Sequence, residues 1–323
     1  MLATNNREMR LLPISTIIPT RNRPISLART LESVAVQGAL PAELVVIDAS
    51  TDASTQQVVE RCRLYYECSV IWQGASCLGA AVQRNQGLAI ASQPFICFCD
   101  DDVLLEPECM ERLWNALQSA PEVGAVNAMI VNQTYHSPGT VSRVMFRLIN
   151  GKSEPSYAGR VIGPAVNLLP EDCDGLPDVV PVEWLNLGCT IYRREALPDP
   201  PFDPQFTGYS LMEDLALSLR VGRQWRLANV RKARIFHDSQ PGPHKANVSA
   251  MATMELVNRH YVMTEILERR SFLDYFRLFE WEIFQLVVSA VRSESRPQLA
   301  AICRGKLDGL HQMYSLRHRR CNS

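Results

Sequence analysis

The sequence predicts an α/β fold with a Rossmann-like, mostly parallel central sheet flanked by helices, and three observations predict it. From residue 14 onward, short β-branched runs alternate with longer amphipathic stretches, the pattern of βαβ units. Several of these runs end in clusters of polar and charged residues, as strands do where their carboxyl ends open on a ligand crevice. Hydrophobic residues make up 46% and charged residues 21% of the 323, so the chain can bury a core of enzyme size and is neither disordered nor fibrous.

Strands are expected at residues 14–19, 43–48, 69–72, 95–99 and 123–131. Helices are expected between them at 25–36, 54–66, 78–91 and 107–117. Pro24 and Pro107 stand in or near the first turn of two of these, where a missing N–H is harmless. Residues 132–181 are irregular, with prolines and glycines throughout, as in a binding loop or lid. Order returns with a strand over 183–192, a helix over 213–223 and a strand pair over 225–236. After a break at 239–243 the pattern is helical, with an aromatic-rich stretch at 272–291 that suits packing better than a cofactor. This is a C-terminal helical appendage.

Thirty-three basic residues against 34 acidic ones leave a net charge of −1, too little to attract nucleic acid. Ten cysteines include no C-x-x-C pair, so zinc-ribbon and dithiol redox sites lack their spacing, and buried reduced thiols are expected. The first residues show no apolar stretch of signal-peptide length, and the longest charge-free apolar segment near the C-terminus, 283–291, falls far short of the ~20 residues of a membrane span. The expectation is a cytoplasmic protein.

Asp100-Asp101-Asp102 immediately follows the apolar run 95–99. On an extended backbone Asp100 and Asp102 project to one side and can face a hard divalent ion, Mg²⁺ or Mn²⁺, while Asp101 points away; the bland reading is a solvated acidic turn. Other strand ends are polar too: Pro19-Thr20-Arg21-Asn22-Arg23, then Asp48 to Asp52, then Arg84-Asn85-Gln86-Gly87 on the third helix. Singly these read equally as surface arginines and a capping turn; together they outline a crevice for a phosphorylated ligand. The first strand is not followed by G-x-G-x-x-G, so a nicotinamide-dependent oxidoreductase lacks its phosphate turn.

Residues 15–23 (STIIPTRNR), 45–52 (VVIDASTD), 84–87 (RNQG), 98–103 (FCDDDV) and 212–215 (MEDL) resemble, in order and spacing, the motifs of family 2 glycosyltransferases with the GT-A fold, over roughly residues 12 to 240. The resemblance implies an inverting transferase that moves a sugar from a nucleotide-diphosphate donor to a hydroxyl of a saccharide or lipid-linked acceptor in glycan or polysaccharide biosynthesis. A non-catalytic nucleotide-sugar-binding protein on the same fold is the alternative. It implies a GT-A domain over 1–247, with a donor half at 12–131 and an acceptor half at 132–247, followed by a helical subdomain at 248–323.

By the same likeness Pro19, Thr20, Arg21, Asp48 and Asp52 hold the nucleoside, with Arg84, Asp100 and Asp101 on the donor side. Asp102 is the principal metal ligand, Asp100 shares the ion, and His237 is a further ligand or else a hydrogen-bonded structural histidine, with His244 a weaker choice. Asp214 is the base for the acceptor hydroxyl and Glu213 orients acceptor or loop, unless both merely complement a helix dipole. Trp184 and Gly188 line the acceptor side, although Trp184 suits a core equally well. Ala49 stands where relatives commonly have glycine, and the Gln-x-x-Arg-Trp motif of processive synthases is missing. The basic run Arg317-His318-Arg319-Arg320, with the aromatic helix before it, reads as a solvated tail or as peripheral contact with an anionic membrane.

Overall fold

The computed structural model describes residues 10–64, 66–239 and 246–321, with side chains as far as residue 315. The strands are β1 (Arg10–Thr20), β2 (Ala39–Asp48), β3 (Ser69–Gly74), β4 (Phe95–Cys99), β5 (Val103–Leu105), β6 (Val123–Ile130), β7 (Val161–Ile162), β8 (Val166–Asn167), β9 (Val179–Val182), β10 (Cys189–Arg193) and β11 (Arg226–His237). The helices are α1 (Pro24–Ala35), α2 (Ser54–Cys62), α3 (Ala80–Ile90), α4 (Cys109–Gln118), α5 (Thr140–Asn150), α6 (Glu213–Val221), α7 (Val248–Tyr261), α8 (Phe272–Val291) and α9 (Leu299–Cys321).

One sheet runs in the order β3-β2-β1-β4-β10-β6-β11-β5, with β9 also on β11. The β1–β2, β2–β3, β1–β4 and β6–β11 pairs are parallel, and β10 enters antiparallel between β4 and β6. This is the predicted mostly parallel sheet. The buried runs of β4 and β6 are apolar on both faces because helices cover both: α1, α2 and α4 on one side, α3 and α6 on the other. Cys97, Cys99, Cys109 and Cys189 lie in the first of these layers as buried free thiols, as expected.

Three elements differ from the sequence reading. The strand expected over 183–192 begins only at Cys189, because the Asn186 side chain accepts the Gly188 N–H at 3.2 Å and bends the chain before it. The strand pair expected over 225–236 is one strand, β11, whose register on β6 shifts between Val230 and Arg234. Its first half carries β9 and its second half β5. The irregular stretch 132–181 contains α5, whose Phe146 and Ile149 pack inward among Tyr157 and Trp281.

Helix α3 matters for the site because Arg84 lies on its buried face. It sits close to the sheet at Gly87, where a Cβ would stand 2.4 Å from Ile17 Cγ2 and 3.3 Å from Ile47 Cγ1. Ile17 is branched at Cβ and cannot swing away. We therefore expect Gly87→Ala to destabilise the protein by about 1–3 kcal/mol through overpacking, read as a lower Tm; an unchanged Tm would show that α3 can lift off the sheet freely.

The C-terminal helices are fastened to this body by polar bonds. Asn258 donates to the Leu211 carbonyl at 2.7 Å, and Arg259 to the Ala165 carbonyl at 2.8 Å. The buried Arg259, Glu282 and Lys306 and the half-buried Glu255 form a charge cluster that joins α7, α8 and α9, with Lys306 Nζ 2.7 Å from Glu282 and 2.9 Å from Glu255. Among the described residues no helix is long and apolar enough to cross a membrane.

Candidate active site

The parallel register brings the strand ends together. Thr20 pairs with Asp48 across β1 and β2, and Ile17 with Phe98 across β1 and β4, so that Thr20 and Asp101, each three residues further on, meet. Gln83 clamps the two strand ends, donating to the carbonyls of Thr20 at 3.0 Å and Ile47 at 2.8 Å. Asp48 is buried and accepts from the Ser50 N–H at 2.8 Å and the Trp72 indole at 3.1 Å. Pro19 is buried beside it, Arg21 is exposed, and Asp52 accepts the Ser54 N–H at 2.9 Å, fixing the turn into α2.

The three aspartates separate by role. Asp101 turns to Thr20 Oγ1 at 2.6 Å and Arg23 Nη1 at 3.1 Å. Burial pushes its carboxyl up to about 6, against the pull of the Thr20 bond and Arg23. Asp100 and Asp102 converge with His237: one ligand atom from each lies within 4.8 Å of the other two. Asp102 also takes Arg23 Nη1 at 3.2 Å, and its Oδ1 lies 3.2 Å from His237 Nε2. Two carboxylate oxygens and an imidazole nitrogen at this spacing are a donor set that could hold a divalent metal ion.

His237 ends β11, held there by a pair of bonds with the Asn132 side chain at 2.9 and 3.0 Å. Its Nδ1 meets the Gln133 amide at 3.2 Å. The Gln133 atom there is its amide nitrogen; with the amide turned over, its oxygen would accept from Nδ1–H and serve the tautomer whose unprotonated Nε2 can bind an ion. His244 lies outside the described residues.

Arg84 lies across the middle of the site. Its side chain is 4% exposed, and its fork reaches Asp100 at 2.6 Å through Nη2 and Glu213 at 2.9 Å through Nη1. Burial opposes its charge, but the two carboxylates outweigh burial and its pKa is raised. Arg84 thus lies between Asp100 and the Glu213-Asp214 pair, with both ends of its fork taken by carboxylates.

Glu213 and Asp214 open α6. Burial is the largest influence on Glu213, opposed by Arg84 and aided by Asp214, and it leaves this carboxyl raised. Burial likewise pushes Asp214 up to about 6, with the Leu215 N–H and Arg84 opposing and Asp100 adding to the rise. A carboxylate near 6 is poised to take a proton at neutral pH. The preceding loop is strained: Ser210 and Met212 have φ of 58° and 73° without being glycine. Gly79, at φ 136°, lets the start of α3 lie against this loop, where a Cβ would stand 3.2 Å from the Gly208 nitrogen.

Trp184 and Gly188 are both buried. Trp184 is 6% exposed, packs in the core and donates its indole N–H to the Leu168 carbonyl at 2.7 Å. Gly188 accepts the Asp100 N–H at 3.2 Å, and a Cβ there would stand 3.0 Å from Ile235. Three site residues escaped the sequence reading: Arg23, Gln133 and Tyr209. Arg23 was visible only as the last letter of the first strand-end cluster. Tyr209 is 38% exposed, and its phenol is raised by burial and by Asp100, Glu213 and Asp102 around it.

Residues 15–158 match the sequence model of glycosyl transferase family 2. An uncharacterised glycosyltransferase of Haemophilus influenzae is 23% identical over 269 residues, 80% of each chain. The validoxylamine A glucosyltransferase of Streptomyces hygroscopicus subsp. limoneus is 35% identical over 256 residues, which are 74% of this chain and 54% of that one, so the chain spans about half that relative's length. Among solved structures, the mannosyltransferase PcManGT of Pyrobaculum calidifontis, in complex with GDP-Man and Mn²⁺, superposes with a TM-score of 0.57 at 15% identity, over 94% of this chain and 88% of that one. Sheet order, motif order and these matches together place the chain in glycosyl transferase family 2, as a transferase built on the GT-A fold.

Proposed function

We propose that the chain transfers a sugar from a nucleotide-diphosphate donor to a hydroxyl of a saccharide or lipid-linked acceptor, inverting the anomeric carbon. The observation that carries this reading is the convergence of Asp100, Asp102 and His237 on one side of Arg84 with Glu213 and Asp214 on the other. Asp100, Asp102 and His237 would hold Mn²⁺, which when bound supplies positive charge beside the departing diphosphate. Thr20, Asp48 and Asp101, with Pro19, Arg21 and Asp52 around them, form the nucleoside side. Asp214 takes the proton of the acceptor hydroxyl as its oxygen bonds the anomeric carbon and the bond to the diphosphate breaks. Glu213, fixed by Arg84, orients the loop that carries Asp214.

A neighbour of the same fold that holds GDP-Man with Mn²⁺, and a relative named as a glucosyltransferase, support a hexosyl donor. The test is a thermal-shift panel of UDP-, GDP- and dTDP-sugars with and without Mn²⁺. The expected result is a stabilisation that needs both nucleotide and metal, about 2.7 kcal/mol at a hundredfold excess over Kd, and that is lost in Asp102→Asn. A shift independent of metal, or none with any nucleotide sugar, would remove the donor reading.

A further inference from the structure

We propose that the outward faces of α8 and α5 seat this protein on an anionic lipid bilayer. On α8, Phe272, Phe276, Phe279, Ile283 and Val287 recur at helical spacing along about 23 Å of one face. Phe272 is 87%, Phe279 62% and Val287 54% exposed, whereas Leu278, Trp281 and Glu282 on the opposite face are buried. Apolar side chains scattered singly over a surface need no explanation; a continuous phenylalanine-led stripe does.

Helix α5 lies against α8, with Phe146 and Trp281 ring centroids 6.3 Å apart. It presents exposed Val141, Val144 and Leu148 on its outer side. Beside them stand exposed Arg143 and Arg147, which make no ion pair among the described residues, and the sequence has no acidic residue between Glu122 and Glu154. On α8 Asp274 is used in the capping box with Ser271, and Glu282 is buried against Lys306, which leaves Glu280 as the acid nearest the stripe.

The charge pattern selects the occupant. A self-complementary contact between two copies would bring Arg143 and Arg147 into the same closed seam as their own duplicates, with two cations to desolvate on each side. Anionic headgroups instead neutralise them while the phenylalanines enter the acyl boundary. Because α8 is apolar on its outer face and carries Glu282 on its inner one, it would lie in the interface rather than cross it.

The test is flotation of the full chain with vesicles of phosphatidylcholine containing phosphatidylglycerol, against phosphatidylcholine alone. The expected result is binding to the anionic vesicles that falls at least about tenfold in the Phe276→Ser, Phe279→Ser double variant. Binding should also weaken in Arg143→Glu, Arg147→Glu and at high salt. Each variant is checked for an unchanged Tm, which removes misfolding as a cause. Absence of binding, binding unaffected by these substitutions, or a concentration-dependent dimer that the phenylalanine variant dissociates would overturn the proposal. None of these outcomes depends on donor or acceptor chemistry.

Discussion

With Asp214 as the proposed base, Asp214→Asn should lower kcat by about 10²–10⁴ while leaving the affinity for nucleotide sugar near that of the native enzyme, because on that proposal it removes the proton acceptor and nothing from the donor side. The substitution is nearly isosteric, and the asparagine oxygen can keep the 2.7 Å bond from the Leu215 N–H, so a large fall in rate cannot be assigned to a collapsed helix start. In the native enzyme the rate should fall below about pH 6 as Asp214 protonates. Steady-state kinetics across pH, with donor Kd measured separately, decide the matter. A variant that retains most of its turnover would transfer the role to Glu213.

The same substitution should raise stability, and the sign follows from linkage. The Asp214 carboxyl titrates near 6 in the folded protein against 3.8 for an ordinary aspartate, so between these values the native state binds the extra proton. Stability from this group is therefore fully present below about pH 4 and is lost as pH rises through 6. At pH 7.5 the charged, buried carboxylate costs on the order of 1–3 kcal/mol, and Asp214→Asn removes that cost. The variant should thus melt higher than the native protein at pH 7.5, with the gap closing toward pH 4. A base that destabilises the fold carrying it is what a functional site leads one to expect, and a structural acid at a helix start would show the opposite sign.

The sheet was legible because parallel strands covered on both faces must be apolar throughout, and β1, β2, β4 and β6 announce themselves that way. The polar ends of those strands pointed to the crevice, since a chain leaving a parallel sheet has to turn at its carboxyl edge. What escaped was pairing at long range. Arg84 lies 129 residues from Glu213, and no spacing rule connects them, so its burial between two acids could be seen only once α3 and α6 were placed. Arg23 and Tyr209 escaped for the same reason, each acting through a side chain remote in sequence. Trp184 shows the converse limit: an aromatic beside a glycine reads equally as a sugar platform or as core, and the Leu168 carbonyl that holds its N–H fixes it in the core.

Arg84→Met is expected to be the most destabilising single change in the cleft. It leaves Asp100 and Glu213 facing each other's field without the cation between them, and removing one partner from a buried charge network costs about 3–5 kcal/mol. Glu213, 12% exposed, bears most of this; Asp100, 29% exposed, recovers part of its hydration. Because the lost cation had opposed the rise of Glu213, the variant's carboxyl titrates higher still, and its native state holds the proton over a wider range of pH. The Tm deficit should therefore be largest at alkaline pH, above about 8, and should shrink as the pH falls to neutrality, where protonation of Glu213 relieves the uncompensated charge. Arg84→Lys should recover part of the loss, since an ammonium restores the charge but lacks the planar fork that reaches both acids at once. Were Arg84 instead a ligand for the diphosphate, with its contacts to the acids incidental, Arg84→Met would weaken donor binding and leave Tm almost unmoved at every pH. Melting curves across pH and a donor titration on the same variant separate the two roles.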